Sequence, residues 1–245
     1  MGIETRILYE DEALLVCHKP AGIATQTARI GQRDMVSEVT GYLAGKQGAG
    51  RGVPYVGVIH RLDQPVEGIL VFAKDKKAAG ELSRQMAADE MGKYYQAVVC
   101  GKEIPAEGEL VDYLLKDGRN NTSRVVPKEV KDAKLAKLTY ETKQKTEGKM
   151  PDTGETFQIA LLRIHLLTGR HHQIRVQMAN AGMSLLGDHK YADPLARAVS
   201  ESQKVKEIAL CAAELYLKHP GTGKKLHFRI EPEGKIFHEL SKMQP

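Results

Sequence analysis

Short apolar runs that stop at a glycine, a proline or a polar turn recur along this chain, and most alternate with strand period rather than helical spacing. Ala13-Leu14-Leu15-Val16-Cys17 reads as a buried strand stopped by His18-Lys19-Pro20-Ala21-Gly22. Tyr55 to Ile59 and Ile69 to Ala73 read as short strands separated by a polar loop from His60 to Gly68. Lys93 to Cys100 alternates and stops at Gly101, and Ala136, Leu138 and Tyr140 alternate with Lys137, Thr139 and Glu141, a strand with one wet face. Phe157 to His165 is another strand. Leu210 to Leu217 and Leu226 to Ile230 flank the hairpin turn His219-Pro220-Gly221-Thr222-Gly223.

Helical spacing is rarer. It marks Met35 to Leu43, and a stretch from the N-cap Asp75 through Ala78, Ala79, Leu82 and Met86 to near Met91. Gln173 to Ala181 forms a third helix, with Ile174, Met178 and Ala181 inward and Gly182 as its stop, and Asp193-Pro194 opens a short fourth. Strands outnumber helices and several neighbours are hairpin-connected. This predicts an α+β fold, with a mixed, mainly antiparallel sheet flanked by helices rather than a doubly wound parallel sheet. No internal repeat, low-complexity stretch or linker interrupts the chain, so residues 1–245 are expected to form a single domain.

Composition excludes several classes. Hydrophobic residues make up 42% and charged residues 27% of the 245, the balance of a globular protein able to bury a core. Cys17, Cys100 and Cys211 are too few and too widely spaced for a zinc or disulfide framework. No apolar run reaches the ~20 residues of a membrane helix, and the polar start Met1-Gly2-Ile3-Glu4-Thr5-Arg6 has no signal-peptide core. A cytoplasmic location is expected. The net charge of +5 equals the excess between Lys116 and Lys149, where 10 Lys+Arg face 5 Asp+Glu. Such a segment can track a phosphate backbone or can simply solvate a loop and strand edge. With aromatics at 5% and no Trp, a multi-base stacking platform is not expected.

Gly221-Thr222-Gly223-Lys224 fails as a phosphate loop, because Lys218 and Lys225 stand where the pattern needs a Gly and a Ser or Thr. His165, His171, His172 and His189 match no zinc spacing, so no metal or cofactor is expected. Two denser constellations remain. His60-Arg61-Leu62-Asp63 sits on a loop between strands, where an ionised Asp63 suits a nucleophile or electrostatic stabiliser, or else a structural ion pair. Leu167-Thr168-Gly169-Arg170-His171-His172-Gln173-Ile174-Arg175 is a turn feeding a helix start, an anion-binding arrangement or else a capped helix with surface arginines.

Taken together and in order, these segments resemble the RluA-type pseudouridine synthase family over nearly the whole chain. The resemblance is carried by Asp11 to Gly22 (DEALLVCHKPAG), His60 to Ala73 (HRLDQPVEGILVFA) and Lys93 to Gly101 (KYYQAVVCG). Thr168 to Ala179 (TGRHHQIRVQMA), the Gly187-Asp188-His189-Lys190-Tyr191 turn and the hairpin from Leu210 to Phe228 complete it. The resemblance implies an RNA-binding cleft, isomerisation of uridine without cofactor or metal, and Asp63 as the catalytic aspartate. It implies that Tyr95 stacks on the flipped base, that Arg175 pairs with Asp63, that Arg61 acts where the uridine leaves its stack, and that Ile174 walls the base. His60, Arg170, His172 and Gln173 complete the expected substrate-facing set.

The chain departs from the family pattern at Gln64-Pro65-Val66-Glu67 and at Gln177 and Cys211 where histidines are usual, and no S4-like domain is expected before residue 11. The expected partner is a ribosomal or transfer RNA stem-loop, with no membrane, no obligate protein partner and a monomeric state. The competing readings are a catalytically inactive RNA-binding module of the same fold and an aspartate-dependent nucleoside hydrolase.

Overall fold

The computed structural model describes residues 3–29, 31–48, 50–150 and 154–240; Met1 and Gly2 of the polar start lie outside the described residues. A short 3-10 turn, Ile3–Arg6, leads into β1 (Ile7–Glu10), β2 (Leu14–Lys19), α1 (Met35–Gln47), β3 (Gly57–Val58), β4 (Glu67–Ala73) and α2 (Lys76–Ala87). Then come β5 (Gly92–Gly101), β6 (Glu107–Asp117), β7 (Thr122–Val126), β8 (Lys134–Lys149), β9 (Thr156–Leu166) and α3 (Gln173–Asn180). The chain closes with β10 (Ser184–Leu185), α4 (Pro194–Ser202), β11 (Leu210–Lys218), β12 (Lys225–Arg229) and α5 (Lys235–Leu240). Internal contacts group these into two compact units, Met1–Gly92 with Ala212–Glu231 and Lys93–Cys211 with Pro232–Pro245.

In the first unit β2 pairs antiparallel with both β1 and β4, β3 pairs with the end of β4, and β11 and β12 form a hairpin. All seven residues of β4 are buried, which is why its sequence runs apolar instead of alternating. Leu14, Val16, Ile69 and Val71 pack with Leu82 of α2 and with Leu215 and Leu217 of β11. Each such side chain contributes roughly 1.5–3 kcal/mol by leaving water. Asp34 caps α1 by accepting from the Ser37 N–H at 2.7 Å, and Asp75 caps α2 from the Ala78 N–H at 2.8 Å.

In the second unit β10, β5, β9, β8, β6 and β7 lie side by side, every neighbour antiparallel. On β8, Ala136, Leu138 and Tyr140 are buried while Glu141 is exposed, the wet-face pattern expected. The α+β class with a mixed, mainly antiparallel sheet is what the structure has; outside the named strands, an isolated bridge joins Ala24 and Asp34 in parallel.

Four local expectations need correction. The first strand runs on through His18 to Lys19 instead of stopping at Cys17. The second helix ends at Ala87, not near Met91, because Asp89 turns left-handed at φ 56° and Glu90 N–H bonds back to Gln85 O at 2.9 Å. Met91 still belongs to the apolar core, which is why it mimicked a helical position. The sequence assigns no element between Gly101 and Ala136, yet β6 and β7 lie there: most side-chain positions of β6 are half wet, so the apolar contrast that betrays a strand is weak. On α3, Ala181 is an exposed C-cap, whereas Gln173 to Met178 are all buried, so this helix has no single inner face.

Candidate active site

The HRLD loop is fastened through its main chain. Leu62 is 6% exposed, and its N–H and C=O both bond the Thr25 hydroxyl, at 3.1 and 3.0 Å. The Val71 N–H of β4 donates to His60 Nε2 at 3.3 Å. Beyond Asp63 the chain folds into a tight turn, with Val66 N–H on Asp63 O at 3.0 Å. The divergent residues Gln64 to Glu67 are therefore ordered: Gln64 exchanges bonds with Gly22, N–H to Gln64 O at 2.9 Å and Gln64 Nε2 to Gly22 O at 3.0 Å. Gly68 follows at φ 143°, where an added Cβ would stand 2.4 Å from the Ala212 Cβ, so glycine is the side chain that fits.

Beneath this loop lies Lys19, fully buried at 0% exposure. Its ammonium donates to Ile23 O at 2.6 Å, Pro20 O at 3.0 Å and Gln64 O at 3.1 Å. Each of its three N–H bonds has an acceptor, which makes the burial of a lysine tolerable. Burial pushes the Lys19 ammonium down to about 8, against the opposing pull of the Asp63 and Glu67 charges. The lysine thus ties the Pro20–Ile23 turn to the residue after Asp63 and sets a positive charge under the loop. Above it Asp63 is half-buried and Arg61 exposed.

The second constellation is fastened through its side chains. Gln173 is 3% exposed; its Oε1 accepts from Thr168 Oγ1 at 2.8 Å and from the Arg170 N–H at 2.9 Å, and its Nε2 donates to Lys137 O at 3.1 Å and to Gln177 Oε1 at 2.9 Å. Gln177, where the family usually has histidine, is fully buried, and its Nε2 meets Asp112 Oδ2 at 2.7 Å. His172 takes a left-handed backbone at φ 54°, and its Nδ1 lies 2.7 Å from the Tyr191 hydroxyl. Arg170 is exposed and donates through Nε to Leu135 O at 2.8 Å.

Arg175, 6% exposed, clasps Asp188 in a fork, Nε to Oδ2 at 2.8 Å and Nη2 to Oδ1 at 2.7 Å. Burial works to raise the Asp188 carboxyl, but Arg175 and the N–H groups of Lys190 and Tyr191 outweigh it and hold it below its ordinary range. The Arg175 guanidinium also lies 5.0 Å from the Tyr191 ring centre. Gly187 turns this segment at φ 71°, where an added Cβ would stand 2.0 Å from Glu207 O.

Tyr95 lies on β5 opposite Ile164, 8% exposed, on a buried face of the second unit's sheet. Ile174 is 4% exposed. The first unit therefore assembles His60, Arg61 and Asp63, and the second Tyr95, Arg170, His172, Gln173, Ile174 and Arg175. Gln173 and His172 are engaged inside the protein rather than displayed. Sequence reading missed Lys19, Thr25 and Asp188 as partners. A lysine closing an apolar strand before a Pro-Ala-Gly turn was the available signal for the first, and the aspartate of the Gly187-Asp188 turn for the last.

The family model for RNA pseudouridylate synthase matches residues 13–180, which include Asp63, Tyr95 and Arg175. The chain is 34% identical over 226 residues to the dual-specificity RNA pseudouridine synthase RluA of Escherichia coli K12, covering 91% of each. It is 34% identical over 233 residues to the ribosomal large subunit pseudouridine synthase D of Zymomonas mobilis, covering 94% of this chain and 69% of that one. A tRNA pseudouridine synthase C of Vibrio cholerae is 31% identical over 226 residues, covering 91% of this chain and 89% of that protein. Among solved structures, human RNA pseudouridylate synthase domain containing 4 superposes with a TM-score of 0.72 at 22% identity, covering 98% of this chain and 94% of that one, which shows a shared fold. On these grounds the chain belongs to the RNA pseudouridylate synthase family.

Proposed function

We propose that this protein isomerises uridine to pseudouridine in structured ribosomal or transfer RNA, and that both compact units act as one catalytic domain. The observation that carries the reading is the family match, which runs unbroken across the division between the units and takes in Asp63, Tyr95 and Arg175. The reaction breaks the N1–C1′ bond, turns the uracil, and joins C5 to C1′; the C5 hydrogen leaves as a proton and N1 gains one. It consumes no oxidant or phosphoryl donor, so the chain's own residues suffice for the chemistry.

In this reading the target uridine is flipped out of its stack, at a cost of a few kcal/mol that is smallest in a loop or bulge. Asp63 supplies the carboxylate that attacks the nucleotide, from a loop fixed by Lys19, Thr25 and the Asp63–Val66 turn. Tyr95 stacks on the flipped base, with Ile174 as an apolar wall. Arg175, oriented by Asp188, is the arginine that the family resemblance pairs with Asp63. Arg61 fills the vacated stack, and Arg170 with His60 serves the RNA backbone. Gln173 and His172 shape the turn that presents Arg170. No described helix is long and apolar enough to cross a membrane. A monomer acting on cytoplasmic RNA is part of this proposal.

The test combines two measurements. Purified protein should release tritium from RNA carrying carbon-5-tritiated uridine, and carbodiimide mapping of cellular RNA should lose at least one pseudouridine when the gene is deleted. Absence of tritium release from total RNA of the deletion strain would overturn the reading.

A further inference from the structure

The β6–β7 hairpin leaves the sheet. Its pairing with β8 ends at Leu114, while β6 and β7 stay paired with each other as far as Asp117 and Thr122. The end of the hairpin is thus a two-stranded ribbon, a form that is marginal in water without support. The turn itself is built: Asp117 Oδ1 accepts from the N–H groups of Arg119 at 2.9 Å and Asn120 at 3.2 Å, and Oδ2 accepts from Asn120 Nδ2 at 2.7 Å. Those bonds occupy the acid of the turn, while Lys116 and Arg119 are exposed.

Support comes from the start of α3 and from the Asp188–Tyr191 turn. His171 Nε2 lies 3.0 Å from Asn121 Oδ1, and His171 Nδ1 lies 2.9 Å from Ser123 Oγ. A carboxamide oxygen only accepts, so Nε2 carries the hydrogen of its contact with Asn121. The His171 ring stacks on His172, centres 3.7 Å apart. The Ser123 N–H donates to the Tyr191 hydroxyl at 2.8 Å, and Lys190 Nζ donates to Asn121 O at 2.8 Å. Below these bonds Leu114 and Val125 pack with Val176 and Tyr191. Lys116 pairs with Ser123, so it lies on the hairpin face that meets α3; Arg124 pairs with Leu115 and lies on the other.

We propose that the end of this hairpin is an arm that grips the phosphate backbone of the substrate RNA with Lys116, Arg119 and Lys190, and that His171 is the positioning residue that holds the arm to α3. The proposal rests on the synthase reading above. Lys116 and Lys190 stand beside a braced turn that also carries the exposed Arg119; cations so placed fit a polyanion, and bracing before binding removes the ordering cost a loose ribbon would incur. His171 acts through Asn121 and Ser123, not on the reacting atoms.

The test uses the full-length protein, total RNA labelled with carbon-5-tritiated uridine from a strain lacking the gene, and binding measured against salt. Lys116→Gln with Arg119→Gln should lower the slope of log affinity against log salt by ~1.4, about 0.7 per phosphate released on a single strand. KM should rise about tenfold with kcat held within about twofold. His171→Ala should raise KM about fivefold with kcat kept, and His171→Gln, which retains a donor toward Asn121, should recover part of the loss. Both glutamine replacements sit on exposed side chains, so they remain informative if His171→Ala fails to fold. Unchanged KM and slope in the double variant, or an equal effect from Arg124→Gln on the opposite face, would overturn the arm. Loss of kcat with melting temperature in His171→Ala, without rescue by His171→Gln, would reduce His171 to a structural residue and overturn its positioning role. Inactive wild-type protein would instead remove the synthase reading itself.

Discussion

The two constellations are held by opposite means. The loop from His60 to Gln64 is fastened mainly by carbonyls and N–H groups, through Thr25, Lys19, Gly22 and the Asp63–Val66 turn. The segment from Thr168 to Tyr191 is fastened by side chains, through Gln173, His172–Tyr191 and Arg175–Asp188. A loop fixed by its backbone is expected to tolerate changes of side-chain identity; here the divergent Gln64 to Val66 are held through the Gln64 and Asp63 carbonyls and the Val66 N–H. A segment fixed by side chains cannot, because each lost partner strands a buried polar group. The first loop should thus separate activity from stability under mutation, and the second should not.

The largest expected effect is at Asp63. Asp63→Asn should abolish tritium release while the melting temperature and RNA affinity stay near wild type; measurable turnover by a clean preparation would break the contrast at its most important point. Arg175→Ala should lose both turnover and stability, by roughly 3–5 kcal/mol, because it strands Asp188 in a buried site. Asp188→Asn should do the same from the other side, read as a shifted urea midpoint. An active, stable Arg175→Ala protein beside a dead Arg170→Ala one would show that the roles of the two arginines are exchanged.

Lys19, closing β2 beneath the first loop, is a side chain on which that loop depends, since it clasps three carbonyls. Lys19→Met should cost about 3 kcal/mol by leaving those carbonyls without a donor, and turnover should fall with it. An unshifted urea midpoint would mean that Thr25 and Gly22 suffice. Smaller still is the acid response of the first unit. Tyr42, Lys46 and Lys74 outweigh burial and bring Glu10 down to about 2; Tyr9, the N–H groups of Leu14 and Ala13, and His219 do the same for Asp11. Folded-state values below the unfolded ones mean this stability is present above about pH 4 and is lost as pH falls from there toward 2, with ~2 kcal/mol from each group. Asp11→Asn should remove its share of that loss in denaturation curves taken across the window. The mildest effects belong to the surface. Arg170→Ala should weaken RNA affinity a few-fold, and neutralising Lys128, Lys131, Lys134 and Lys137 together should flatten the salt dependence while turnover at saturating RNA is kept. An unchanged slope would return those lysines to solvation.

Much of the fold was legible because its apolar contrast is local. The buried runs of β2, β4 and β9, the alternation on β8, and the caps at Asp75 and Asp193 each fall within a few consecutive residues. The half-wet β6 and the five-residue β7 carried no such contrast and were found only in three dimensions. Asp63, Tyr95 and Arg175 stand as candidates because their motifs are contiguous in the chain. Their supports could not. Lys19 reaches 45 residues along the chain to Gln64 O, Thr25 reaches 37 to Leu62, and Ser123 reaches 48 to His171. Sequence alone determined which residue types stand at each turn. Only the tertiary structure decided that a lysine closing an apolar strand is buried beneath the HRLD loop, that Arg175 is oriented by Asp188, and that Gln173 and Gln177 spend their amides inside the protein. The physical reason is that burial and hydrogen-bond satisfaction depend on what comes to lie nearby once the chain has folded, and spacing along the sequence does not encode that distance.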